Sequence, residues 1–299
     1  MSPRVSVVMP VRDAERFLKD AVESVLAQTF VDLELLAVDD GSRDASAAIL
    51  ARYAAADARV RVLSSPARGV AGALNAGIAA ARASYVARMD ADDVSEPDRL
   101  ARQLAVLDAD SGIVLVGAAA TLVDDRGRVV GSVVPPAEHE AIAQRLRTHN
   151  VVVHGTVVVR RAAWSAAGGY DLSAHLVEDY DLWCRLLAHG RLANVAAPLY
   201  RLRVHGGSVS ARAVSDQLEA AYGVRRRHFG TPPPSWAERR TARADRHLAY
   251  ARMLATPGDA PVWRHLIAAW QAKPWSPTVL RHGVSGLRGR LEGSGASSR

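Results

Sequence analysis

Three carboxylates stand within four positions at Asp90, Asp92 and Asp93, directly behind the strand-like run Tyr85-Val86-Ala87-Arg88-Met89. Acids packed this closely repel one another, and each anion raises its neighbours' pKa. A hard divalent cation relieves the repulsion by taking their oxygens as ligands. With Mg or Mn in place and coordination positions left over, the same ion can hold a diphosphate. Asp90-Ala91-Asp92 therefore reads as an Asp-x-Asp metal site. An EF-hand calcium loop does not fit, because Val94 and Ser95 would fill positions that need an oxygen ligand and a glycine. The simpler alternative is that the acids only precede a helix. Ser95-Glu96-Pro97-Asp98 has that form, with Ser, an acid three residues on and Pro in the first turn.

Other candidate groups are scattered. Val38-Asp39-Asp40-Gly41-Ser42 closes an apolar run, and Glu178-Asp179 opens a helical pattern. His205 stands in the polar loop Arg203-Val204-His205-Gly206-Gly207-Ser208-Val209-Ser210. Each has a local explanation when taken alone. Asp and Gly favour turns, acids favour a helix N-terminus, and a solitary His is more often structural than a ligand. Chemistry follows only if a fold gathers them.

The hydrophobic pattern supplies such a fold. Strand patterns at 5–9, 33–38, 60–63 and 85–89 alternate with helical patterns over 14–26, 44–55 and 69–81. That alternation predicts an α/β fold, a mostly parallel sheet with helices on both faces. Ligands of such sheets sit at the carboxyl ends of the strands. Pro10-Val11-Arg12-Asp13, Asp39-Asp40 and residues 90–93 all fall there, so they can line one crevice. Further on, the pattern predicts a helix over 97–108, a strand over 113–117 and a hairpin of 121–123 with 129–134. A helix over 137–147, a strand over 154–159 beginning at His154 and a helix over 161–167 follow. Gly168-Gly169-Tyr170-Asp171 is a turn, 178–189 a helix and 199–203 a last strand. From 213 the chain reads as helical, broken at Pro232-Pro233-Pro234 and Pro257-Gly258.

Bulk properties narrow the class. With 299 residues, 49% of them hydrophobic and 23% charged, the chain can bury a sizeable core. The single cysteine, Cys184, excludes an intrachain disulfide and lies in a helical apolar pattern, as buried filler would. No signal peptide or membrane-length apolar run is present, so a cytoplasmic protein is expected. The net charge of +7 is uneven: residues 225–299 hold 14 basic against 4 acidic side chains, and the remainder is slightly acidic. Nearly all the basic residues are Arg, with only Lys19 and Lys273 as lysines, which also fits a compositional bias of the gene.

The order of these signals resembles a family-2 glycosyltransferase with the GT-A fold. The matching segments are residues 7–11, Val38-Asp39-Asp40-Gly41-Ser42, Ala73-Leu74-Asn75-Ala76-Gly77, residues 87–93, Gly168-Gly169-Tyr170-Asp171, residues 178–183, and Arg203-Val204-His205 with Ser208 and Ser210. Each is weak alone; seven in family order are specific, and they span about Val5 to Ser210. The resemblance implies a Rossmann-like GT-A domain over 1–212, with a nucleotide-sugar half at 1–117 and an acceptor half at 118–212. A helical C-terminal extension, 213–299, follows without a matching motif.

The resemblance also implies roles. Asp39 would read the nucleotide base by accepting its ring N–H, with Pro10, Val11 and Arg12 beside base and ribose. Asp90 would contact ribose or metal, and Asp92 would be the direct ligand of Mn or Mg. Asp179 is similar to the family's catalytic base, and His205 to a late-loop His that reaches metal or diphosphate. Arg68 and Arg88 would serve the diphosphate or the structure. His154, Glu178 and Arg203 would support the site or the acceptor. The implied reaction is inverting transfer of one sugar from a nucleotide-diphosphate sugar, a UDP-sugar first, to a glycan or lipid-linked acceptor in surface polysaccharide or glycoconjugate synthesis. One base suffices for inversion, and no carboxylate is offered for a covalent intermediate. Processive synthases of the family carry Gln-x-x-Arg-Trp and membrane spans; this chain has neither.

Two alternatives accompany that reading: a polyprenyl-phosphate sugar synthase, and a GT-A domain that binds nucleotide or glycan without turnover. In the tail, Trp236, Trp263, Trp270 and Trp275 lie among arginines, and Val262, Leu266, Ile267 and Trp270 share a helical face beside Arg264 and His265. This suggests either peripheral contact with an anionic membrane through 213–299 or an appendage packed on a core. Nucleic acid is not an expected partner, because no recognition module or aromatic platform is present.

Overall fold

β1 (Val5–Val11) is almost all buried aliphatic, as a strand covered on both faces must be. It pairs in parallel with β2 (Leu33–Asp39) on one side and β4 (Tyr85–Arg88) on the other. Pro10 lacks an N–H, yet no ladder bond is lost. The Val8 carbonyl accepts Met89 N–H at 3.1 Å, so residue 10 faces the same side two positions on, where β4 has already ended. β3 (Val60–Ser64) adds in parallel outside β2. The crossovers are α1 (Leu18–Leu26), α2 (Ser46–Ala56) and α3 (Gly69–Ala79). α1 buries Leu18, Ala21, Val22 and Val25, one face at helical spacing. α3 is built of small residues and lies tight on the sheet: a Cβ on Gly77 would stand 2.4 Å from Val8 Cγ1 and 2.9 Å from Val38 Cγ2.

This computed structural model describes residues 2–65, 69–205, 213–253, 265, 268 and 269. It divides into two units, Met1–Val123 with Gly131–Arg203, and Asp124–Val130 with Val204–Arg299. In the first unit the sheet continues past β4 with β8 (Val158–Arg160), β6 (Ile113–Val123), β9 (Arg191–Arg203) and β5 (Val94–Ser95). The order is β3-β2-β1-β4-β8-β6-β9-β5, and β7 (Val129–Val133) pairs with β6. The sheet is parallel from β3 to β4. Beyond it, β8 runs antiparallel to both β4 and β6, β6 and β9 are parallel, and β5 is antiparallel to β9. α4 (Arg99–Ala109), α5 (His139–Leu146), α6 (Arg161–Ala166) and α7 (Glu178–Leu186) complete the unit.

Several elements differ from the sequence pattern. The expected strands 113–117 and 121–123 are one strand, because the intervening Ala118-Ala119-Ala120 is buried in the sheet, with register shifts against β9. Ser95 does not start a helix: it lies in β5, and its hydroxyl accepts from Gln28 Nε2 at 3.1 Å. α4 begins at Arg99, after Pro97 and Asp98. The strand expected from His154 opens instead as a 3₁₀ turn, His154–Thr156, before β8. β9 reaches back to Arg191, a stretch whose polar residues obscured it.

The second unit contains α8 (Val214–Phe229) and α9 (Trp236–Met253). Arg239 of α9 pairs with Glu219 of α8, and Tyr222 has Arg225 and Arg239 over its ring at 4.5 and 5.4 Å. Trp236 is exposed, with the Arg240 guanidinium 4.3 Å from its centroid. Trp263, Arg264, Leu266, Ile267, Trp270 and Trp275 lie outside the described residues. Among the described residues, no helix is long and apolar enough to cross a membrane.

Candidate active site

Because β1, β2 and β4 run parallel, their carboxyl ends share one edge of the sheet. β1 ends beside β2 in the pair Val11–Asp39, and Val8 faces Arg88 at the end of β4. Two loops are stitched together at this edge. Asp13 Oδ1 accepts Arg43 N–H at 2.7 Å, Asp44 Oδ2 accepts Glu15 N–H at 2.9 Å, and Glu15 Oε2 accepts Ala45 N–H at 2.9 Å. Asp39 is half-buried, and its Oδ1 accepts Ser42 N–H at 3.0 Å. Asp40 is buried. Its Oδ2 accepts the N–H of Gly69, at the start of α3, at 3.0 Å and lies 3.6 Å from Arg12 Nη1. Asp40 thus ties Pro10-Val11-Arg12 to the α3 end, a structural role that the motif alone did not separate from that of Asp39. Arg68 lies outside the described residues.

The acidic turn follows β4. The carboxylate oxygens of Asp90, Asp92 and Asp93 lie within 4.8 Å of one another. Asp90 is paired to Nη1 of the buried Arg88. Asp93 is buried; Arg203 N–H donates to its Oδ1 at 2.7 Å while Arg203 Nε donates to the Asp92 carbonyl at 2.8 Å. β9 is thereby latched to the turn from two sides. The Arg203 guanidinium is held in turn over Phe17, 4.2 Å from its centroid. Burial, and then the Asp92 charge, raises the Asp93 pKa. The Tyr200 hydroxyl accepts Asp90 N–H at 3.1 Å. Gly155 makes room for it, since a Cβ there would stand 2.6 Å from that oxygen. With Asp93 committed to Arg203, the half-buried Asp90 and Asp92 are the carboxylates a hard cation would meet, and the all-oxygen donor set fits Mg or Mn.

Glu178 and Asp179 open α7. Leu176, just before them, has φ 71°, an uncommon conformation for a side chain of its kind. Asp179 accepts Tyr180 N–H at 2.7 Å and the Asn150 amide at 2.7 Å. Burial, then the Glu178 charge, pushes the Asp179 carboxyl up to about 7, a range suited to a proton acceptor at neutral pH. Glu178 is also raised, by burial. His154 Nε2 lies 2.9 Å from the Tyr170 hydroxyl, and its ring meets Trp183 edge-on at 5.8 Å. Burial and then Arg88 lower the His154 pKa well below its ordinary value, so the imidazole is neutral. Asn75 holds this wall in place: its Nδ2 donates to the Tyr170 carbonyl at 2.8 Å and its Oδ1 accepts Tyr170 N–H at 3.0 Å. The preceding Gly168 and Gly169 have φ 82° and 70°, which a side chain would strain.

Arg88 lies within electrostatic reach of Asp93, His154, Tyr170, Glu178 and Asp179 as well as touching Asp90. His205 follows β9 as part of the second unit. Asn150 and Tyr200 were not legible as site residues in the sequence, since neither falls in a motif.

Residues 6–166 match the profile of glycosyl transferase family 2. The chain belongs to that family. Among its relatives, the O-antigen biosynthesis glycosyltransferase WbnJ of Escherichia coli is 29% identical over 74% of this chain and 87% of its own length. Solved structures with the same fold include TarS of S. aureus in complex with UDP-GlcNAc, with a TM-score of 0.63 and 17% identity over 91% of this chain and 81% of that one. They also include the mannosyltransferase PcManGT of Pyrobaculum calidifontis in complex with GDP-Man and Mn²⁺, with a TM-score of 0.59 and 20% identity over 95% and 80%. These structural likenesses establish a GT-A fold.

Proposed function

We propose that this family-2 glycosyltransferase moves a single sugar from a nucleotide-diphosphate sugar to an acceptor hydroxyl with inversion. One observation carries the reading: the carboxylates of Asp90, Asp92 and Asp93 gather within 4.8 Å of one another behind β4, at the sheet edge where the parallel strands also end in Asp39. Asp39, with Pro10, Val11 and Arg12, would bind the nucleoside, and Asp90 and Asp92 would hold Mn or Mg. The bound ion would neutralise charge on the leaving diphosphate. Asp179 would take the acceptor's proton, oriented by Asn150 and by Tyr180 N–H. His154, neutral and backed by Tyr170 and Trp183, would line the acceptor side with Glu178, while Arg203 holds the acidic turn. The family resemblance alone assigns His205 to the metal or diphosphate and Arg68 to the diphosphate.

A UDP-sugar is the first donor to try, since Asp39 suits a uracil N–H and TarS was solved with UDP-GlcNAc. A GDP-sugar is the second, because guanine also offers a ring N–H and PcManGT was solved with GDP-Man. The name of WbnJ favours a polysaccharide or glycoconjugate acceptor. The decisive assay is transfer or hydrolysis of UDP-, GDP- and dTDP-sugars with Mn, for wild type and Asp179→Asn. Turnover lost in the variant with nucleotide binding retained supports the proposal. A wild type inert with every donor and acceptor, yet binding nucleotide, would favour a binding domain instead.

A further inference from the structure

The sheet runs out at the end of β4, just before the acidic turn. Arg88 N–H donates to the Val157 carbonyl at 2.9 Å. In a hydrogen-bonded antiparallel pair the partner's N–H would return the bond. Here it does not: Val157 N–H turns back to the His154 carbonyl at 3.4 Å and closes the 3₁₀ turn. Side chains take over from the missing strand. Arg99 Nη2 donates to the Arg88 carbonyl at 2.6 Å, and Nη1 to Met89 Sδ at 3.6 Å. The Arg99 guanidinium lies 5.2 Å from the ring centroid of Tyr200, whose hydroxyl accepts Asp90 N–H at 3.1 Å. Arg99 Nε donates to Oε1 of Gln103, one helical turn on, at 3.1 Å. Gln103 Nε2 in turn donates to the Val116 carbonyl at 2.8 Å and the Thr156 carbonyl at 2.7 Å. Backbone on both sides of the Arg88–Asp90 corner is thus held through one buried cluster on α4 and β9.

Arg99 falls in no motif, and it is 1% exposed. Its hydrogen bonds end on a carbonyl, a thioether and an amide rather than on a carboxylate. A buried charge is costly to desolvate, and for stability alone a well-packed apolar side chain would serve as well. An apolar side chain could not hold the Arg88 carbonyl. We propose that Arg99 is a positioning residue for the divalent ion: with Tyr200 it stands in for the missing strand and fixes the direction in which β4 delivers Asp90 and Asp92. The inference rests on the reading that these two carboxylates hold the ion. Groups that orient metal ligands without touching the metal typically cost ~10–100-fold in metal affinity when removed.

The test is titration of the full chain with Mn²⁺ alone, following the free ion by electron paramagnetic resonance, at a temperature where thermal melts show each variant folded. In Arg99→Met the Kd for Mn should rise about 10-fold. Arg99→Lys, which keeps the charge and a donor, should recover part of the loss. Tyr200→Phe keeps the ring under the guanidinium and removes only the hydroxyl, and it too should weaken Mn binding. A merely structural Arg99 would lower the Tm of Arg99→Met and leave its Kd for Mn at the wild-type value; that result overturns the proposal. Should Arg99→Met not fold, an unchanged Kd in Tyr200→Phe overturns it instead. Asp92→Asn keeps the two failures apart. If Asp92→Asn weakens Mn binding and the Arg99 and Tyr200 variants do not, the positioning role alone is refuted. If Asp92→Asn binds Mn as tightly as wild type, the metal reading is refuted, and the positioning role with it.

Discussion

Replacing Asp179 with Asn should cut transfer by orders of magnitude and, at alkaline pH, make the protein more stable. The folded carboxyl is lifted from 3.8 to about 7, chiefly by burial. Because the folded group binds its proton more tightly than the unfolded one, stability falls as pH rises from about 4 to about 7 and is level above. At ~1.4 kcal/mol per pH unit the full cost of the ionised group would be ~4 kcal/mol. Asp179 is only half-buried, and solvent screening takes this to ~2 kcal/mol. Asn removes that cost but accepts only one of the two hydrogen bonds from Asn150 and Tyr180 N–H, a loss of ~1 kcal/mol. The net expectation is near parity at about pH 5 and a gain of ~1 kcal/mol at about pH 8.5, seen as a Tm rise of ~2–4 °C. Urea melts at both pH values, beside a transfer assay expected to fall by ~10²–10⁴-fold, check this. A variant less stable than wild type at pH 8.5, or a difference that does not change with pH, would refute the reasoning.

Chelation with EDTA should remove transfer, and added Mn or Mg should restore it; Asp92→Asn should show the same loss without rescue, read as turnover against metal concentration. Gly77→Ala should cost ~1–3 kcal/mol in a denaturant melt, since its Cβ would stand 2.4 Å from Val8 Cγ1 in the packed α3–sheet seam. Asn75→Ala should leave nucleotide affinity nearly intact but weaken turnover, because it releases the Gly169-Tyr170 wall rather than the donor pocket; calorimetric nucleotide binding measured beside kcat separates the two.

The nucleotide half was the most legible part of the chain, for a physical reason. A parallel strand buried on both faces must be a run such as Val5–Val11, and the chain must turn in polar residues at its end. Strand ends and loop acids are therefore written side by side, at Val38-Asp39-Asp40 and Arg88-Met89-Asp90. The second half hides because its elements answer to distant partners. Ala118-Ala119-Ala120 carries no strand signal of its own and is extended because β9 lies along it. Asn150 and Tyr200 reach the site through hydrogen bonds across 29 and 110 positions, which no local pattern encodes.

Arg88 stands in a matching segment, but its partners are set by the fold: the guanidinium pairs with Asp90 and the N–H donates to the Val157 carbonyl. Its charge also draws the Glu178 and Asp179 carboxyls down against the rise that burial causes. Asp90, Asp93, Glu178 and Asp179 together outnumber the buried guanidinium, and burial has already raised the pKa of three of the four. A surplus of negative charge of this kind is costly by itself and gains most from a divalent cation. Acids left without enough counter-charge favour a divalent occupant, which is why metal removal is the sharpest single test of the site.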